Sequence, residues 1–183
     1  MKGSKLASGS RVAIVGGGIA GAGLAASLLF NGRARGCALD VRVYESGEPG
    51  TIAPPAVLTP ECRSRLAALG CRVPPEWRAH ELRGVELLSH GNREVLPSMS
   101  GGLWVVDGWP QGQGGLGLVR EVLAGTAMSQ GARFVPRRVE RVENQPSAPD
   151  APAAVRKSGP LVVRAQGSGE RFHVMPSSDM RCA

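Results

Sequence analysis

Six residues, Gly16-Gly17-Gly18-Ile19-Ala20-Gly21, constrain this chain more than any other stretch of it. They satisfy the pattern G-x-G-x-x-G, which on its own is weak in a chain with 26 glycines. Context gives the pattern its force. The preceding Arg11-Val-Ala-Ile-Val15 is a short apolar run rich in β-branched residues and ended by glycine, which predicts a buried strand. From Gly18 to about Asn31 alanine and leucine dominate and predict a helix, with Asn31-Gly32 as its stop signal. Asp40-Val-Arg-Val-Tyr-Glu45 predicts a second strand. Strand, glycine turn, helix, strand is a βαβ unit, and it demands a right-handed crossover and a parallel sheet.

Each part of the motif has a physical task. Gly16 permits the tight turn out of the strand. Gly18, without a side chain, lets a pyrophosphate approach the backbone. Gly21 lets the helix pack closely on the sheet, and Ala25 one turn later does the same. The N–H groups around Gly17, Gly18, Ile19 and Ala20 at the helix start, with the positive end of its dipole, then face the phosphates. Glu45 ends the second strand, where a carboxylate accepts hydrogen bonds from adenosine ribose hydroxyls, each contributing about 1.5–3 kcal/mol. A solvated glutamate at a strand end is the plainer alternative. A carboxylate there also repels the 2′-phosphate of NADP. The interval from Gly16 to Glu45 is several residues longer than usual, the excess lying in the polar stretch Asn31–Leu39.

Beyond Glu45 the pattern changes. Ser46–Pro60 carries Pro49, Pro54, Pro55 and Pro60 and predicts a loop, followed by a short helix over Glu61–Leu69 ended by Gly70. Glu81–Ser89 and Arg93–Leu96 predict an antiparallel hairpin about His90-Gly91-Asn92. Leu103–Val106 predicts another strand, and residues 107–117 a glycine-rich loop. Leu116, Val119, Leu123 and Ala127 recur at three- and four-residue spacing, predicting an amphipathic helix over Leu116–Gln130 with Gly131 at its end. Ala132–Val135 and Val139–Val142 predict strands, the first of them parallel. Residues 144–159, rich in Pro, Ala and Ser, predict a linker. Leu161–Ala165 and Arg171–Val174 flank Gln166–Glu170 as a further hairpin.

Bulk properties narrow the function classes. A chain of 183 residues buries roughly 70% of its unfolded surface, enough for a core without staples. With 4% aromatic residues that core must be filled by Leu, Val and Ala. The net charge of +7 is spread over dispersed arginines such as Arg33, Arg35, Arg63, Arg72 and Arg137-Arg138, with little aromatic interleaving, so a specific nucleic-acid role is not expected. Cys37, Cys62, Cys71 and Cys182, with His80, His90 and His173, show no metal-ligand spacing, and no metal is expected. A cytoplasmic, reducing location fits these cysteines. Val12–Phe30 is apolar and follows Lys2, Lys5 and Arg11, but its glycines weaken any reading as a membrane span, which needs about 20 apolar residues.

With these motifs in place, the chain resembles the glutathione-reductase-type flavoproteins, in the branch of aromatic-ring monooxygenases, geranylgeranyl reductases, lycopene cyclases and flavin halogenases. The resemblance rests on Val12–Phe30 with Asp40–Glu45, and more weakly on Gly115–Glu143. It implies an α/β, Rossmann-like βαβ FAD/NAD(P)-binding fold with an antiparallel β excursion, incomplete at its C-terminal side. It further implies FAD as cofactor, NAD(P)H as a possible electron donor, and an organic small molecule as substrate.

Residues 1–10, polar and small, are expected to be a disordered tail. By the resemblance residues 11–143 are the FAD-binding domain with a partial substrate-side insertion at about 50–115, while 144–183 are expected from their composition to be linker, hairpin and unpatterned tail. In that family an arginine often opens the second helix beside the flavin. The matching position here is Leu116, and Arg120, one turn on, substitutes only if the helix is shifted or shortened. Surface exposure of Arg120 is the alternative. His80, His90 and Asp107 are polar residues of the substrate-side region, and nothing prefers one as catalytic. The family's later Gly-Asp motif is missing, so the chain is expected to be a truncated or frameshifted form of a longer FAD-dependent oxidoreductase. A non-catalytic nucleotide-binding fragment and an NAD-binding Rossmann domain remain as alternatives.

Overall fold

The computed structural model describes residues 6–46, 54–75, 77, 81–82, 84–97, 102–106, 114–144, 161–165 and 168–172. In chain order these form β1 (Arg11–Val15), α1 (Ile19–Ala34), β2 (Asp40–Glu45), β3 (Ala56–Leu58), α2 (Pro60–Ala68), β4 (Glu81–Leu82) and β5 (Gly84–Ser89). There follow β6 (Asn92–Pro97), β7 (Leu103–Val106), α3 (Gly115–Ser129), β8 (Arg133–Pro136), β9 (Val139–Asn144), β10 (Leu161–Ala165) and β11 (Ser168–Phe172). The chain divides into two compact units, residues 1–48 with 127–183, and residues 49–126.

The first unit is built on a three-stranded parallel sheet in the order β1-β2-β8. Side chains alternate across it, as strand geometry requires. Ile14, Val41 and Val43 pack on one face with Ala25, Ala26 and Leu29 of α1 and with Ala127 and Ala132. Ala22, Ala25 and Ala26 are fully buried; their small size brings the α1 backbone close to the sheet. On the other face Tyr44, Ala13 and Val135 meet Val163 and Ala165 of a second sheet, antiparallel, in the order β11-β10-β9. A central parallel sheet thus separates a helix from a β-meander. The hairpin expected from Leu161–Ala165 and Arg171–Val174 is formed by β10 and β11, the latter beginning already at Ser168; β10 pairs with β9 and places Val163 and Ala165 in this core.

α1 does not stop at Asn31-Gly32. Asn31 turns its side-chain amide back to the Ser27 carbonyl (2.9 Å) and the helix continues to Ala34. Gly32 is buried, and a Cβ there would come within 2.9 Å of the Cys37 carbonyl oxygen. This glycine serves packing, and the reversal falls to Gly36 at φ +65°. The helix therefore absorbs part of the long interval between Gly16 and Glu45. Within the expected N-terminal tail, Gly9 N–H donates to the Ala38 carbonyl (2.7 Å) and Ala38 N–H to Ser8 Oγ (3.1 Å), so the residues just before β1 are tied to the approach to β2.

In the second unit β3, β7 and β4 form an antiparallel sheet in the order β3-β7-β4. β3 lies in the stretch expected as loop: the prolines flank a short run, Ala56-Val57-Leu58, whose alternate residues Ala56 and Leu58 are buried. α2 is capped by Thr59, whose Oγ1 accepts from Cys62 N–H (3.1 Å), and it is followed by Gly70 at φ +77°. Arg63 on α2 donates to the Gly102 carbonyl (2.9 Å) and lays its guanidinium over the Trp104 ring, 4.2 Å from the centroid. The strand expected over 81–89 is two, since β4 pairs with β7 and β5 with β6. His90 (φ 44°) and Gly91 (φ 86°) alone make the hairpin turn, and Asn92 already pairs with Ser89.

Candidate functional site

The glycine turn sits where β1 ends. Its first N–H, from Gly16, donates to the Tyr44 carbonyl (2.9 Å), so the β1–β2 ladder carries on into the turn. Gly16 holds φ +100°, a conformation L side chains rarely adopt. Gly18, without a side chain of its own, is the N-cap of α1, and no acidic residue lies in its first turn. A Cβ on Gly18 would meet no described atom within 4 Å. Gly21 is the opposite case: a Cβ there would collide with the Gly16 carbonyl oxygen and lie 3.3 Å from Ile14 Cγ2. The helix therefore leaves the turn at backbone contact.

Glu45, half-buried at the end of β2, lies against the middle glycine. A Cβ on Gly17 would be 2.6 Å from Glu45 Oε2 and 2.8 Å from its Cδ. This neighbourhood escapes the sequence motif, which leaves the second position open. It follows from register: Val15 pairs with Tyr44, so the next residues of the two strands, Gly16 and Glu45, come abreast. Gly16, Gly18 and Ala20 are exposed, Ile19 and Gly21 are half-buried, and Gly17 is buried.

A pyrophosphate fits such a place on two counts. The N-cap of α1, Gly18, brings no side chain to the helix start, its first turn holds no acidic residue, and nothing described lies within 4 Å of a Cβ built on Gly18. Arg33 in the last turn of α1 complements the same dipole at its other end. Charge is concentrated at the opposite, N-terminal ends of the strands. There Asp40 is approached by Arg133 (2.5 Å), Arg42 (3.3 Å) and Arg11 (3.9 Å). Partial burial alone would raise the Asp40 carboxyl, but the hydrogen bonds from Arg133 and Arg42 and their charges outweigh it and hold it below its ordinary range.

Arg120 is half-buried on α3 and belongs to the second unit. His90 occupies the exposed β5–β6 turn, while His80 and Asp107 lie outside the described residues. Among the described residues no group of three His, Cys, Asp or Glu could hold a metal ion, and no helix is long and apolar enough to cross a membrane.

The architecture is Rossmann-like α/β, a parallel sheet with a βαβ unit at its N-terminal side. No family model and no curated protein matches the chain. Solved structures do. A flavoprotein/dehydrogenase from Cytophaga hutchinsonii matches over 90% of this chain and 37% of its own, at TM-score 0.55 and 18% identity. A flavin-dependent halogenase from Brevundimonas sp. BAL3 matches over 89% of this chain and 40% of its own, at TM-score 0.59 and 16% identity. Aklavinone-11 hydroxylase, in a ternary complex with FAD and aklavinone, matches over 91% and 32%, at TM-score 0.56 and 17% identity. The chain spans less than half the length of each and shares its fold with that part.

Proposed function

We propose that this chain is the FAD-binding part of an FAD-dependent oxidoreductase, of monooxygenase, reductase or halogenase type, that acts on an organic small molecule. The observation that carries the reading is the turn itself: Gly16 at φ +100°, an α1 start whose N-cap is the side-chain-less Gly18, and the Glu45 carboxylate beside it at the ends of parallel strands. In open α/β sheets ligands bind at that end of the strands. The α1 N–H groups from Gly18 to Ala20 would hold the pyrophosphate, and Glu45 would accept from the adenosine ribose. α3 opens at Gly115, so the position that the family pattern gives to an arginine stays with Leu116, and Arg120 lies one turn inside the helix. When bound, the flavin supplies the redox chemistry, and the chain's own residues bind and orient it.

Two features favour FAD over NAD. After β2 the chain enters strands that pair antiparallel, β3 with β7 and β7 with β4, where an NAD-binding domain would continue as β-α-β. Solved structures of this fold include proteins described as flavin-dependent or complexed with FAD. NAD(P)H would then act as an electron donor from outside this site.

Titration of the purified chain with FAD, followed by flavin fluorescence, tests the proposal, with NAD as comparison and Glu45→Ala as control. Saturable FAD binding, weakened about tenfold or more by Glu45→Ala, is the expected result. A folded chain that ignores FAD, or takes NAD as tightly, overturns it. FAD binding with no substrate turnover would leave the cofactor assignment and mark the chain as a binding part alone.

A further inference from the structure

Gly16, Gly17 and Gly21 are constrained for different reasons, and Gly17 stands apart from the other two. At Gly16 the backbone is left-handed and the space beside Cα is open, so the constraint is conformational. At Gly21 the obstacle is backbone, the Gly16 carbonyl. At Gly17 no left-handed backbone is involved. What occupies the space is one side chain: its far end, Glu45 Oε2 at 2.6 Å and Cδ at 2.8 Å, and behind it Glu45 Cβ at 3.1 Å. Gly17 is buried beneath that carboxylate.

We infer that Gly17 is a positioning residue, whose missing side chain is the seat that fixes where Glu45 presents its carboxylate oxygens beside the turn. A methyl group at position 17 would displace the carboxylate end, which can swing aside through its own rotamers, and would need a shift of only a few tenths of an ångström from Glu45 Cβ. It would move the carboxylate away from the turn. Position 17 therefore tunes recognition of the ribose without touching the ligand. This inference rests on the FAD reading for its consequence, but the seat itself is a property of the ligand-free chain.

The experiment is a double-mutant cycle with Gly17→Ala, Glu45→Ala and the pair, read in two ways. The first is the Kd for FAD. Gly17→Ala should weaken binding about tenfold, by loss of one charge-assisted hydrogen bond, and should add nothing in the Glu45→Ala background. The second is the side-chain carboxyl ¹³C resonance of Glu45 in ligand-free protein, which should shift in Gly17→Ala, with the melting temperature close to that of the parent chain. An unmoved Glu45 resonance, or FAD losses that add independently, overturns the inference. A shifted resonance in a chain that never binds FAD supports the seat and overturns the assignment of FAD instead.

Discussion

The carbonyl oxygen of Gly16 fills the space that a side chain on Gly21 would need. The turn and the first turn of α1 are thus in backbone contact, and neither can shift alone. Gly21→Ala should destabilise the fold by about 1–3 kcal/mol, the usual cost of forcing atoms into a filled site. Gly16→Ala, strained only by its φ, should cost about 1 kcal/mol or somewhat more, and Gly17→Ala the least. Urea denaturation of the three variants checks this order. A Gly21→Ala protein as stable as the parent would mean that the helix is not seated on the turn.

Asp40 contributes an acid-sensitive part of the stability. Its folded-state pKa lies below the ordinary 3.8, so its stabilising effect is full above that value and disappears as pH falls through the lower, folded one. Asp40→Asn should lower stability by about 1–2 kcal/mol at neutral pH, since Arg11, Arg42 and Arg133 then face each other without a shared anion. The two proteins should converge well below pH 3.8. Stability curves against pH check the convergence, and a constant difference across the acid range would contradict the assignment.

Tyr44 is the chain's one tyrosine, so its ionisation can be followed alone. Burial between the parallel sheet and β10 raises its phenol above 10.0, with the positive charges of Arg42 and Arg137 opposing part of the rise. The unfolded chain ionises first, so stability held below about pH 10 is lost as pH climbs through the folded value. Tyrosinate ultraviolet absorbance of the folded protein should rise later than that of the urea-unfolded chain. Coincident titrations would place Tyr44 in solvent.

Much of the first unit was legible in the sequence because its signals are local. β1 and β2 lie where the apolar runs predict, and the glycine turn lies between β1 and α1. The amphipathic stripe of α3 is buried at Val119, Leu123 and Ala127. What escaped depends on partners distant in sequence. Ala56–Leu58 is too short to announce itself and becomes a strand only because β7 pairs with it. Gly32 reads as a stop, but the packing of Leu39 and the Cys37 carbonyl decides its use. The seat of Glu45 on Gly17 depends on the register of β1 against β2, which no single segment encodes.

β2 is the middle strand of its sheet and has a different task at almost every residue. Asp40 gathers the arginines, Val41 and Val43 meet the helix layer, Tyr44 meets the meander, and Glu45 reaches the turn. Side chains in a strand have a period of two, so a slip of one residue would exchange every one of these assignments at once. The segment works like a key with cuts on both edges: it enters one way or not at all. The place of Glu45 is then a gauge of sheet assembly, since a carboxylate can stand over Gly17 only when each residue behind it has found its own layer.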